Sequence, residues 1–248
     1  MVLEVKGLTK HFEGLKAIDN VDFKLHEGEI IAIVGENGAG KSTLIKVISG
    51  AIRKSSGKIY INGEEADISS RDDAKKFGIE TVFQEQTLIP NFDASLNLFL
   101  GRENFRKRPF GKYFKIIDYR YMKNETINLF KKIGVGIKDI DEEVRFFSGG
   151  QRQGVVVGRA VYWGGKILIF DEPTNNLGVA EQKTILDLIV KLREEQNLSI
   201  LIISHNLYNV FQIVDRIIVL RNGEKVGERL TKETNQNEIV SMITGLSF

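Results

Sequence analysis

Val21, Phe23 and Leu25 alternate with Asp22 and Lys24, the period-two pattern of a half-buried strand, and His26-Glu27-Gly28 ends it. This predicts an antiparallel β region near the N-terminus. From Ile30 the pattern changes. Ile30–Val34, Ile167–Phe170 and Ile200–Ile203 are continuous apolar runs, as expected of parallel strands covered on both faces. Between the last two, Ile185, Leu188, Ile189 and Leu192 recur at the spacing of one helix face. Strand, helix, strand in that order predicts a βαβ unit with a right-handed crossover, and so an α/β core. Residues 85–165 read differently, with helical patterns around Met122–Ile133 and Gly149–Val161 and no strong buried strand. The expected organisation is one domain over 1–248, its α/β core formed by 1–84 and 166–248 and a helical subdomain inserted at 85–165.

Composition narrows the partners. The 248 residues, 42% hydrophobic, are enough to bury a sizeable core, and 35 basic against 33 acidic residues leave a formal charge of +2. That balance gives no reason to expect a nucleic-acid polyanion as the main partner. The absence of cysteine excludes disulfides, thiolate metal sites and cysteine nucleophiles. Met1–Val5 lacks the basic-then-apolar character of a secretory signal, and the longest apolar runs fall far short of the roughly 20 residues a bilayer span needs.

The chemistry begins at Gly35-Glu36-Asn37-Gly38-Ala39-Gly40-Lys41-Ser42, a G-x-x-x-x-G-K-S phosphate loop that follows an apolar strand and precedes a helical stretch at Thr43–Ile48. Its glycines let successive N–H groups turn toward phosphate oxygens, and the helix presents its positive end to the same anion. The pattern predicts Lys41 at the β/γ-phosphates and Ser42 as a Mg²⁺ ligand. A glycine-rich turn without a ligand is the plainer alternative. The run Ile167–Phe170 then delivers Asp171 and Glu172 at its C-terminal end, where open α/β sheets place ligands. Asp171 is the expected Mg²⁺ partner. Glu172 is the expected general base or water-orienting group for attack on the γ-phosphate.

Phe147-Ser148-Gly149-Gly150-Gln151 resembles the signature of the ABC (ATP-binding cassette) family, usually L-S-G-G-Q, with phenylalanine in the leucine position. The resemblance covers essentially the whole chain and implies a P-loop NTPase fold that binds and hydrolyses MgATP. It further implies that Gln84 approaches the metal and the attacking water, that His205 contacts the γ-phosphate and that Phe12 stacks on adenine. In such proteins the signature residues Ser148, Gly149, Gly150 and Gln151 close over nucleotide held by the phosphate loop of another cassette. A homodimer, or pairing with a related cassette, is therefore expected. One departure stands out: Asn175-Asn176-Leu177 is followed by Gly178, where the family usually has an aspartate that helps couple the two sites.

Single-cassette length and the absence of sustained heptads between Lys41 and Ser148 favour a transporter subunit over ABC proteins of repair or translation. Integral membrane permease subunits and an external solute-binding protein are the implied partners, and the cytoplasmic face of the membrane the implied location. Residues Gly78–Glu85, Gly101-Arg102-Glu103 and Ile117-Asp118 resemble ATPases of ribose-, galactose- or xylose-type importers. Amino-acid or peptide import is the alternative within transport. Residues 102–123 interleave eight basic residues with six aromatic ones, including Arg106, Lys112, Phe105 and Tyr113. A solvated loop, a contact with membrane subunits or anionic lipid, and single-stranded nucleic acid are the readings of that stretch.

Overall fold

A computed structural model describes residues 1–82, 88–106 and 116–246. Gln84 and the basic-aromatic residues 107–115 lie outside this range. Ten strands are named here: β1 (Leu3–Phe12), β2 (Leu15–Leu25), β3 (Ile30–Val34), β4 (Ser56–Ile61), β5 (Glu64–Glu65), β6 (Ile79–Val82), β7 (Ile167–Asp171), β8 (Ser199–Ile203), β9 (Arg216–Arg221) and β10 (Glu224–Leu230). The α-helices are α1 (Lys41–Ile48), α2 (Arg71–Lys76), α3 (Ala94–Leu98), α4 (Tyr119–Ile133), α5 (Gly149–Tyr162), α6 (Val179–Gln196), α7 (Leu207–Ile213) and α8 (Gln236–Thr244).

The chain divides into two compact units. The first comprises 1–84, 165–175 and 190–248 and holds both sheets. One sheet is antiparallel, in the order β2-β1-β4-β5, and the other runs β10-β9-β3-β8-β7-β6. In the second sheet β9, β3, β8, β7 and β6 are parallel neighbours, and only β10 runs antiparallel, beside β9. Ile31 and Ile33, Ile167 and Ile169, Leu201 and Ile203, and Ile218 and Leu220 join Leu3, Val21, Phe23 and Leu44 in one core. The alternate residues of the same strands, Ile30, Ala32, Leu168, Phe170, Ile200 and Ile217, are buried as well. Burial on both faces is why β3, β7 and β8 read as unbroken apolar runs rather than alternating ones.

The second unit comprises 85–164 and 176–189. The sequence reading assigns 176–189 to the α/β core; in the structure they group with the helical unit, and the Gly150 N–H bond to Glu181 is one link between the two segments. Helix α4 begins at Asp118, whose carboxylate accepts from the Tyr121 N–H at 3.2 Å, and ends at Gly134 with φ 78°. Its buried residues Met122, Thr126, Leu129, Phe130 and Ile133 fall on one face. The partner helix α5 turns glycines toward it. A Cβ at Gly158 would lie 2.8 Å from the Phe130 ring, and one at Gly154 would lie 2.7 Å from Val135. Gly158→Val is therefore expected to force the two helices apart and cost about 2–3 kcal/mol, read as a Tm roughly 5–10 °C lower in a thermal melt.

Candidate functional site

The phosphate loop is shaped from below by backbone. Gly40 caps α1 at φ 101°, and a Cβ there would lie 2.5 Å from the Ala17 carbonyl oxygen, so only glycine fits. Ala39 is buried under the loop, and its carbonyl accepts from the Gly223 N–H at 3.1 Å. The Gly223 carbonyl in turn accepts from the Asp19 N–H at 2.8 Å. Helix α1 has no side-chain N-cap, which leaves its first-turn N–H groups for an anion. Lys41 is 7% exposed and spans the loop, donating to the carbonyls of Gly35 at 2.7 Å and Glu36 at 2.8 Å. Burial pushes its ammonium below the usual lysine range, against the opposing pull of Glu172 and Asp171.

Strand β7 ends by sending adjacent carboxylates into different surroundings. Asp171 is 9% exposed, and burial first, then the neighbouring Glu172, raises its pKa against the pull of Lys46 and Lys41. Glu172 takes φ 53°, a left-handed conformation unusual for a non-glycine residue, held by its N–H to the Ile203 carbonyl at 2.9 Å. Its Oε1 lies 2.9 Å from His205 Nδ1, and the His205 backbone N–H donates to Oε2 at 3.4 Å. A cavity of about 1040 Å³ is lined by Gly35, Glu36, Asn37, Gly38, Gly40, Lys41, Ser42 and Thr43 together with Glu172 and His205. A shallow loop, one buried ammonium and a carboxylate–histidine pair thus share one opening, the constellation for binding a polyphosphate and directing a water at it.

The cavity also takes Leu15, Lys16 and Ala17 from β2, and Asn175 and Asn222, to none of which the sequence assigns a role at the nucleotide. Asn222 sits in the β9–β10 turn at φ 51°, and its Asn-Gly dipeptide is a hairpin signal from which such a turn can be read. Phe12 is not among the lining residues. It is 44% exposed at the end of β1, with the Lys10 ammonium 5.0 Å from its ring centre.

In the second unit, Ser148 caps α5 through a reciprocal pair of bonds: its hydroxyl accepts from the Gln151 N–H at 3.2 Å, and Gln151 Oε1 accepts from the Ser148 N–H at 2.9 Å. Gln151 also donates to the Gly136 carbonyl at 3.2 Å, and Arg152 to the Phe147 carbonyl at 2.7 Å. Phe147 is 4% exposed, so the position holds a buried apolar side chain.

Residues 18–175 match the family description "ABC transporter". The chain belongs to the ABC transporter family. It is 40% identical to the fructose import ATP-binding protein of Rhizobium meliloti, over 98% of this chain and 94% of that one. It is 38% identical to the xylose/arabinose import ATP-binding protein of Sulfolobus acidocaldarius, over 100% and 95%. Against the ribose import ATP-binding protein of Caldanaerobacter subterraneus the identity is 36%, and the match covers 48% of that longer chain. Among solved structures, a nucleotide-free ATP-binding cassette from an ABC transporter superposes with a TM-score of 0.82 at 25% identity, covering 98% of this chain and 95% of that one. A dimeric cassette in a post-hydrolysis state bound to ADP and Pi gives 0.76 at 25% identity, covering 94% and 100%. Like the family's other cassettes, the chain is a P-loop α/β protein. Among its described residues no helix is long and apolar enough to cross a membrane.

Among the described residues no three His, Asp or Glu side chains gather as a cation site. Ser42 on the first turn of α1 and Asp171 at the end of β7 carry hard oxygen donors, the chemistry that would suit a Mg²⁺ ion. Asp171→Asn gives a test of the electrostatics. Because the folded-state pKa is raised, the ionised carboxylate is disfavoured in the fold, and a neutral isostere removes that penalty. The variant is expected to melt higher than the wild type at neutral pH without nucleotide, with the gain shrinking as pH falls through the raised pKa.

Proposed function

We propose that this chain is the ATP-hydrolysing subunit of an importer for a small sugar, working as two cassettes that share two MgATP sites. The observation that carries the reading is the identity of 36–41% to sugar import ATP-binding proteins over nearly the whole chain. The cavity that joins Lys41, Glu172 and His205 supports it. Permease subunits in the membrane would anchor the protein at the cytoplasmic face, and an external solute-binding protein would deliver the sugar.

In this mechanism the loop amides from Gly38 to Thr43 and the Lys41 ammonium bind the β- and γ-phosphates, so the charge that spreads over the transferred group meets fixed dipoles. Ser42 and Asp171 would hold a Mg²⁺ ion carried with the nucleotide, which would supply charge neutralisation at the phosphates. Gln84, outside the described residues, is the residue that the family resemblance assigns to the metal and the attacking water. Glu172 accepts the proton of that water, with His205 holding the carboxylate in place through the 2.9 Å contact and reaching the γ-phosphate. Ser148, Gly149, Gly150 and Gln151 of one cassette cover the γ-phosphate bound by the other. Loss of phosphate then releases the pair. Phe12 contributes the adenine contact, beside the wall formed by Leu15, Lys16 and Ala17.

The assignment of cargo is tested in cells. A strain carrying Lys41→Ala in place of the wild-type chain is expected to lose uptake of one labelled pentose or hexose while labelled amino acids still enter. Loss of amino-acid uptake with sugars unaffected would reverse the reading.

A further inference from the structure

The N-terminus of α5 already holds an anion. Glu181, half-buried on the first turn of α6, accepts from the Gly150 N–H at 3.2 Å through Oε1 and from the Gly178 N–H at 3.3 Å through Oε2. The Ser148 hydroxyl bonds the same carboxylate, and Arg152 adds attraction. A Cβ built on Gly149 would meet both carboxylate oxygens, at 3.3 and 3.5 Å. The Gly150 amide, then the Gly178 amide, hold this carboxyl below the usual glutamate range, favouring its ionised form.

The donors engaged here, Ser148 and Gly150, are those the shared-site reading assigns to a phosphate of the opposing cassette. Two anions on one set of donors repel, and a carboxylate at a helix N-terminus gains from the same partial positive charge a phosphate would use. The Gly178 contact adds a second consequence. At the position where the family usually carries an aspartate this chain carries none, and the carboxylate three residues on ties that backbone to the signature helix of its own cassette.

Resting on the shared-site reading, we propose that Glu181 is a resident anion at the signature helix, which a γ-phosphate from a second cassette must displace, and that it thereby sets the ATP concentration at which two cassettes close. Glu181 acts on the nucleotide through Ser148 and Gly150 and is a positioning residue, not a catalytic one.

The test uses the full chain with Glu172→Gln as background, and light scattering to follow dimer formation as MgATP is raised. Glu181→Gln keeps an acceptor oxygen for Gly150 but removes the charge. Glu181→Ala removes both. Under the proposal both variants close at lower ATP, by about fivefold. A purely structural tie predicts a different order, with Glu181→Gln like its parent and Glu181→Ala needing more ATP, and that result overturns the proposal. Circular dichroism melts confirm that each variant is folded. If the background dimerises and the Glu181 variants need equal or higher ATP, the resident anion alone is refuted. If no variant dimerises at saturating ATP, the shared-site reading fails and takes this proposal with it.

Discussion

Glu172→Gln is expected to bind ATP and to turn it over at least about a hundredfold more slowly than the wild type. The amide keeps the size and one acceptor oxygen of the side chain, so the φ 53° turn, the Glu172 N–H bond to Ile203 and the contact with His205 have no steric reason to change. What is lost is the proton acceptor. Steady-state hydrolysis and equilibrium binding of a fluorescent ATP analogue separate the two effects. Unchanged turnover would remove Glu172 from the role of base, and weakened binding would mean that its charge chiefly serves to balance Lys41. His205→Ala sharpens the result. If His205 works by holding the Glu172 carboxylate, the double variant should be little slower than Glu172→Gln alone, because residues that act as one unit are not additive.

The second large effect is expected at Ser148→Arg. The substitution removes the hydroxyl that caps α5, costing about 1 kcal/mol of stability, and drives a guanidinium across the Gly149-Gly150 surface. Hydrolysis that depends on two cassettes should fall about a hundredfold or more, because donors aimed at a developing charge are among the costliest to lose. Nucleotide binding by the phosphate loop of the first unit should persist, since Lys41, Ser42 and Thr43 are untouched. Ser148→Ala serves as the control that loses the cap without adding bulk. Full cooperative hydrolysis in Ser148→Arg would defeat the arrangement in which one cassette covers the nucleotide of another.

What the sequence revealed and what it hid follow from how far each interaction reaches along the chain. The phosphate loop is contiguous, and its neighbours β3 and α1 announce themselves by an apolar run and a helical stretch, so Gly35 to Thr43 could be read directly. The capping box from Ser148 to Gln151 is local in the same sense. Strand β1 was harder to see. Its register against β2 shifts three times between Val5 and His11, and Gly7 at φ 57° breaks the alternation that marks a half-buried strand. The cavity wall at Leu15–Ala17 and Asn222 comes from elements that meet the loop only through the fold. Phe12, nominated by resemblance, lies beside this wall rather than in it, and no pattern of polar and apolar residues distinguishes the two positions. The segment 176–189 groups with the helical unit, and the link from the Glu181 carboxylate to the Gly150 amide leaves no periodic trace in the sequence.

The chain of main-chain bonds beneath the phosphate loop, from Asp19 N–H to the Gly223 carbonyl and from Gly223 N–H to the Ala39 carbonyl, has an evolutionary corollary. None of these bonds uses a side chain. The loop can therefore hold its shape while the surrounding strands exchange residues freely, provided the glycine and the backbone path survive. A lineage can retune the walls of the nucleotide cavity at Leu15 or Lys16 without disturbing the part that grips phosphate, so nucleotide affinity and phosphate chemistry can drift independently.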